Sequence, residues 1–321
     1  MAATVLAASR TTSPSGCLVV SKSATSSQYK TVSLAVKALS TSSTTAQCIF
    51  IDQGTYSEQV YIPALKSALT LYGYTADTTG YAGNKVTITQ KLSQDDVANN
   101  DLTATLRAWT TNLKVYNINL ANTRGSGSQA LAVSAYADKQ GYYGVQFLGF
   151  QDTILAQTGA QVYAKCLIQG ATDFIFGQQA TAWFDGVDIR VLAASTGYIT
   201  ANGRDSSTNP SYYVINKSTI AAASGNTVKS GAYYLGRPWR NYARVVFQST
   251  SMTNVINAAG WSVWATSDTR TDNTYFGEYS NSGDGSTGTR ASFGRKLTSA
   301  VSISTVLGSG YTSWVDSTYL S

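Results

Sequence analysis

The chain has 321 residues, 43% of them hydrophobic and only 12% charged, against roughly 25% charged in an average globular protein. Lys and Arg outnumber Asp and Glu by 23 to 17, a net charge of +6; with no Lys/Arg-rich run this argues against nucleic acid and suits an anionic partner. Histidine is absent, which excludes Ser-His-Asp and Cys-His triads and histidine metal sites, so acid–base work near neutral pH falls to carboxylates, Lys or Tyr.

In chain order, Met1–Arg10 is too short and too polar for a complete signal peptide. Cys17 and Cys48 each sit in a short apolar run and could pair, which leaves Cys166 as a lone buried thiol. Three cysteines make neither a disulfide framework nor a zinc site. Val32, Ala35, Val36 and Leu39 fall at i, i+3, i+4 and i+7 and predict one amphipathic helix. Almost everything after it reads as short strands broken by Gly, Asn, Ser and Asp. Examples are Ile49–Ile51, Leu69–Leu71, Val86–Ile88, Val115–Ile118, Val145–Phe147 and Val245–Phe247. Asn216-Lys217-Ser218 is the one usable N-glycosylation sequon. Asn281–Thr289 reads as a single Gly/Ser-rich loop, and a last helix or turn is expected over Val301–Leu307. No stretch of 18 apolar residues is present that could span a membrane. No linker or low-complexity segment divides the chain, so residues 1–321 read as one domain.

Internal spacing decides between a sandwich, a barrel and a solenoid. Gly149-Phe150-Gln151-Asp152 returns 21 residues later as Gly170-Ala171-Thr172-Asp173, and Gln129 precedes Gln151 by 22. Repeats of about 20–30 residues carrying several short strands mark a parallel β-helix. Equivalent positions on successive coils then stack about 4.8 Å apart. Asp152 and Asp173 become vertical neighbours, with Gln129 one coil further along. The helix at Val32–Leu39 would cap the first coil, which otherwise presents an unpaired edge and an open core.

Two carboxylates so close cannot easily both ionise, and the pair divides into a nucleophile or base and a proton donor. Leu235-Gly236-Arg237-Pro238-Trp239-Arg240 adds a guanidinium able to hold one carboxylate ionised and an indole able to pack on a sugar ring. Each feature taken alone favours a structural reading: turn hydrogen bonds, a structural ion pair and wall packing.

Together these blocks resemble the signatures of pectin methylesterases: Gly149–Thr153, Asp173-Phe174-Ile175-Phe176-Gly177 and Leu235–Trp239, in that order and at those separations. Gly54-Thr55-Tyr56-Ser57-Glu58 and Gly260-Trp261-Ser262-Val263-Trp264 resemble the family's early and late motifs. The resemblance runs from about Ser21 to the C-terminus, and the composition looks fungal. It implies an all-β, right-handed parallel β-helix that hydrolyses galacturonate methyl esters in pectin, releasing methanol. It implies Asp173 as nucleophile, Asp152 as proton donor and acceptor, and Gln129 and Gln151 as the oxyanion hole. Arg237 would orient Asp173, while Trp239 and Phe176 would line the sugar site beside Gln129 and Arg237. No metal or cofactor is implied, and the expected partner is methyl-esterified pectin, bound by a secreted monomer whose leader lies outside this sequence.

Two positions depart from the family pattern. Val187 stands where many relatives carry the cysteine that pairs with the equivalent of Cys166, so that disulfide is expected to be absent. Asn202 stands in Ala201-Asn202-Gly203-Arg204 where Gln is commoner. The competing readings are another ester or thioester hydrolase on the same scaffold, and a non-catalytic pectin-binding β-helix. The latter predicts loss of at least one of Asp152, Asp173, Gln129 or Arg237, and all four are present. A β-helical polysaccharide lyase or galacturonase fits less well, since no acidic cluster suggests a calcium site.

Overall fold

The structure, a computed structural model, describes residues 8–321; residues 1–7 of the Met1–Arg10 segment lie outside it. Among the described residues three sheets of eleven, eight and seven strands run the length of the molecule, and every ladder between named strands is parallel. The chain visits the three sheets in turn, as in Ala160–Ala164, Leu167–Gly170 and Thr172–Gly177, before returning to the first at Thr181–Asp185. This is the right-handed parallel β-helix expected from the repeat.

From the coil of Leu113–Tyr116 onward, the corner after the eleven-stranded sheet is turned by one residue per coil with positive φ. Asn117, Gly144, Lys165, Gly186, Lys217, Ser249 and Ser280 occupy it, at φ 47–59°. This corrects the strand expected over Val115–Ile118: it ends at Tyr116, and Asn117 turns the chain toward Asn119–Asn122. Asn populates the left-handed region more easily than most residues, so a polar residue inside an apolar run marked the corner.

Aliphatic and aromatic side chains fill the interior. Tyr142, Tyr163 and Phe184 stack at 4.9 and 4.5 Å with nearly parallel planes. Such pairs contribute about 0.5–1.5 kcal/mol beyond burial and help hold successive coils in register. The helix at Val32–Lys37 buries Val32, Ala35 and Val36 against the first coils, with Leu39 buried just beyond its end. Thr31 Oγ1 accepts from Leu34 N, while the Glu58 carboxylate accepts from Val32 N and Ser33 N, both at 2.9 Å. Glu58 of the early motif therefore pins the cap to the barrel, where a carboxylate suits the first turn of a helix. A short helix at Ile303–Leu307 and the residues after it cover the outer face of the eleven-stranded sheet, packing on Val162, Trp183 and Val214. The expected loop at Asn281–Thr289 contains a 3-10 turn, Asp284–Ser286.

Cys17 and Cys48 are disulfide-bonded. Cys166 is free and fully buried, with its thiol pushed up to about 12 by burial. Leu167 pairs with Asp188, so Cys166 and Val187 are neighbours on adjacent coils, and Val187 denies Cys166 a partner.

The sequon reading is corrected. Asn216 lies in the strand Tyr212–Asn216, buried at 9% exposure. Its Nδ2 donates to Asp185 Oδ1 at 2.6 Å and its Oδ1 accepts from Gln248 Nε2 at 2.9 Å. A glycan on that nitrogen has no room and would break an internal amide ladder.

Candidate active site

The two G-x-x-D segments occupy one corner on successive coils. Gln151 bridges Thr172, and Asp152 N donates to Thr172 O at 3.0 Å, which sets Asp152 beside Asp173 at one inter-strand spacing. Both aspartates adopt the left-handed conformation, at φ 62° and 50°, a region Asp tolerates better than most residues. The glycines three residues earlier have a packing reason. A Cβ on Gly149 would stand 2.6 Å from Thr153 Oγ1, and one on Gly170 2.4 Å from Phe174 Cβ. The repeat is thus a corner whose glycine admits the following side chain and whose aspartate stands at the entry to the seven-stranded sheet, just before Ile154–Ala156 and near the start of Thr172–Gly177.

Arg237 arrives from two coils further on, Phe176 pairing with Ala201 and Ala201 with Arg237. Its guanidinium reaches back to grip Asp173 with both branches, Nε to Oδ1 at 2.9 Å and NH2 to Oδ2 at 2.7 Å. Tyr198 covers one side at 4.1 Å, and Trp264, the last residue of the late motif, approaches at 4.3 Å. Cation–π contacts of this kind contribute about 0.5–2 kcal/mol each and fix the plane from which the fork can bind a carboxylate.

The two aspartates are placed unequally. Burial pushes both carboxyls above the ordinary value, but for Asp173 the bonded Arg237 opposes it. Asp152 is driven well above, by burial first and then by the Asp173 charge, with Arg237 and Asn100 opposing. Burial acts to lower the Arg237 pKa, yet Asp173 raises it overall, so the guanidinium stays charged. The arrangement sets a carboxyl gripped by a guanidinium beside one that has no cation bonded to it.

Gln151 immediately precedes Asp152. Gln129 lies on the neighbouring coil, where Ala130 N donates to Gln151 O at 3.1 Å, the same pattern by which Asp152 N meets Thr172 O beside the Gln151–Thr172 bridge, so the two glutamines stand in line. Both are half-buried. Phe176 and Trp239 face each other across 6.0 Å and form part of a cavity of about 470 Å³ that also takes in Asn100, Trp109, Tyr136 and Leu155. Trp109 stacks on Tyr136 at 4.5 Å. The carboxylates thus stand beside an open groove with aromatic walls. Asn202, the departure from the family pattern, is buried away from this chemistry. It donates to Ser211 Oγ and accepts from Arg244 N.

All residues expected at the site are on this face except Asn216, Cys17 and Cys48. Sequence reasoning missed Tyr198, gave Trp264 no role, and missed Asn99-Asn100-Asp101. There Asn99 Oδ1 caps a one-turn helix through Leu102 N, and Asn100 Nδ2 lies 3.4 Å from Asp152 Oδ2. Asp101 takes Arg107, Trp109 Nε1 and Ser134 Oγ. An Asx cap pattern was the available signal.

A family model described as Pectinesterase matches residues 18–302. Pectinesterases of Aspergillus aculeatus and Aspergillus niger are each 58% identical over 99% of this chain and 96% of their own length. Among solved structures, a deglycosylated pectin methylesterase from Aspergillus niger superposes with a TM-score of 0.90 at 41% identity, covering 97% of this chain and 100% of the other. Pectin methylesterase from carrot gives 0.85 at 31% identity, covering 97% and 98%.

Proposed function

The chain belongs to the pectinesterase family and hydrolyses the methyl esters of pectin, and from that premise we propose that Asp173 is its nucleophile and Asp152 its proton carrier. One Asp173 oxygen attacks the ester carbonyl carbon of a galacturonate unit, and the electron pair moves onto the carbonyl oxygen. Gln129 and Gln151 donate to that oxyanion; removing a single such donor typically costs about 3–4 kcal/mol of barrier stabilisation. Collapse expels the methoxy oxygen, which takes the Asp152 proton and leaves as methanol, with an acyl anhydride on Asp173. Asp152, now a carboxylate, removes a proton from water as the water attacks the acyl carbon. Asp173 departs as a carboxylate, Asp152 is protonated again, and the product is a free galacturonic acid carboxyl, which then loses its own proton to solvent. The covalent step divides one difficult displacement into two easier ones.

The observation that carries this division is the contrast in partners. Asp173 is held by two short bonds from Arg237, whereas Asp152 has one long contact from a neutral amide. Trp239 and Phe176 would line the sugar site. The chain would act as a single-domain monomer outside the cell; the Cys17–Cys48 bond favours an oxidising compartment. Among the described residues no helix is long and apolar enough to cross a membrane. Methanol release from highly esterified pectin by Asp173→Ala tests the assignment. Turnover equal to wild type would remove Asp173 as nucleophile, and wild-type binding without methanol release would favour a pectin-binding β-helix.

A further inference from the structure

Asn100 is held at the site by its neighbours. Asn99 caps the one-turn helix Asn100–Thr103, and Asp101 accepts from Arg107 at 2.9 and 2.6 Å, from Trp109 at 2.9 Å and from Ser134 at 2.7 Å. Gln59 Nε2 donates to the Leu102 and Ala104 carbonyls at 2.7 and 2.9 Å. The segment is therefore anchored without help from the Asn100 side chain. That side chain has one polar contact, Nδ2 to Asp152 Oδ2 at 3.4 Å. Its Oδ1 is buried and has no hydrogen-bond partner. Leaving a buried acceptor unmade is costly, and such atoms in native structures usually have a reason.

A carboxamide is nearly symmetric in shape, so a half-turn exchanges its donor and acceptor ends. The pocket gives Oδ1 no donor, so nothing except Asp152 biases the orientation. We propose that Asn100 is a positioning residue for Asp152 whose amide turns over as Asp152 gains and loses its proton. When Asp152 is a carboxylate, Nδ2 donates to it. When Asp152 is the acid, its O–H donates to Oδ1, which fixes the proton before transfer to the methoxy oxygen. The other charges facing Asp152 are Asp173 on the next coil and Arg237 beyond it, while Asp101 beside Asn100 is neutralised by Arg107. None of these can both accept from the acid and donate to the base.

This inference rests on the assignment of Asp152 as proton carrier. Its test is the pH profile of kcat and KM for Asn100→Leu, with Asn100→Ala as a second variant and thermal melts as the check on folding. Both forms of Asp152 lose a partner, so plateau kcat should fall about tenfold with KM unchanged. The basic limb, set by Asp152, should move by less than about half a pH unit. Wild-type kcat in both folded variants would overturn the proposal. So would a kept plateau with the basic limb raised by about one unit or more, the mark of an amide that only donates to the carboxylate. Asp152→Asn separates the two levels. If it turns over normally, the assignment of Asp152 fails; if it is inactive while the Asn100 variants are unaffected, only the role of Asn100 fails.

Discussion

Replacing Arg237 by Gln removes the one cation bonded to the proposed nucleophile and leaves only a shorter, neutral amide. Two bonds, at 2.9 and 2.7 Å, and the cation between Tyr198 and Trp264 disappear together. Removing one partner of a buried ion pair typically costs about 3–5 kcal/mol, and Asp173 escapes part of that by taking a proton. If the whole cost appears there, its pKa rises by roughly 2–3.5 units. The acid limb of kcat, set by Asp173, then moves toward neutrality. It meets a basic limb set by Asp152, which is already raised by burial and by the Asp173 charge. Raising the pH cannot restore activity, because Asp152 gives up its proton as Asp173 becomes ionised. The bell should collapse, with kcat at the wild-type optimum falling about 10²–10³-fold. Stability gives an independent check with a definite sign. A carboxyl whose folded pKa is raised binds more protons folded than unfolded, so it favours the fold at low pH and loses that contribution as pH climbs through the folded value. Asp173 is raised even with Arg237 present, so the variant should lose more melting temperature than wild type between pH 4 and neutrality. Methanol release across pH and melts at matched pH are the assays. Wild-type kcat with an unmoved acid limb would refute the reasoning.

Asp152→Asn cannot donate or accept the travelling proton and should lower kcat about 10²–10⁴-fold, with the basic limb gone; a retained basic limb would assign that limb to another group. Gln129→Ala and Gln151→Ala should each lower kcat about 10²–10³-fold with little change in KM, and an effect confined to KM would make them ground-state binders instead. Peptide mass spectrometry of the chain secreted by a glycosylating host should find Asn216 unmodified, and a glycopeptide at that site would contradict its burial. Asn216→Ala should cost about 1–3 kcal/mol of stability by taking one hydrogen bond each from Asp185 and Gln248, read as a lowered melting temperature with unchanged activity.

Features tied to a local repeat were legible in the sequence. Gly149 and Gly170 admit Thr153 and Phe174, and because that constraint recurs on these two successive coils the G-x-x-D spacing exposed both the architecture and the aspartate stack. The cap was legible for a similar reason, since its apolar stripe repeats at helical spacing. Asn117 was misread because the apolar residues continue on both sides of it, and the one mark of the corner was the Asn itself, which turns the chain at φ 54°. Asn216 was misread because a sequon is defined by three neighbours, whereas burial is set by Asp185 and Gln248 on other coils, 31 and 32 residues away.

What residue spacing alone left unread is which of two identical side chains is which; that division came from the family resemblance, and Asn100 was missed altogether. Asp152 and Asp173 share a residue type, a corner, a backbone conformation and a preceding glycine, and the fold alone would give them the same chemistry. They are separated by contacts from distant segments, Arg237 across 64 residues on one side and Asn100 across 52 on the other. One contact brings a full charge and two short bonds; the other brings a neutral amide and one long bond. The β-helix supplies proximity by repetition, and the exceptions to the repetition set the two carboxyls apart, as the proposed acid and nucleophile require. If that is right, exchanging the partners rather than the aspartates should disturb catalysis: an enzyme that keeps both carboxylates but loses Arg237 would hold two protonated acids and no nucleophile over its former working range.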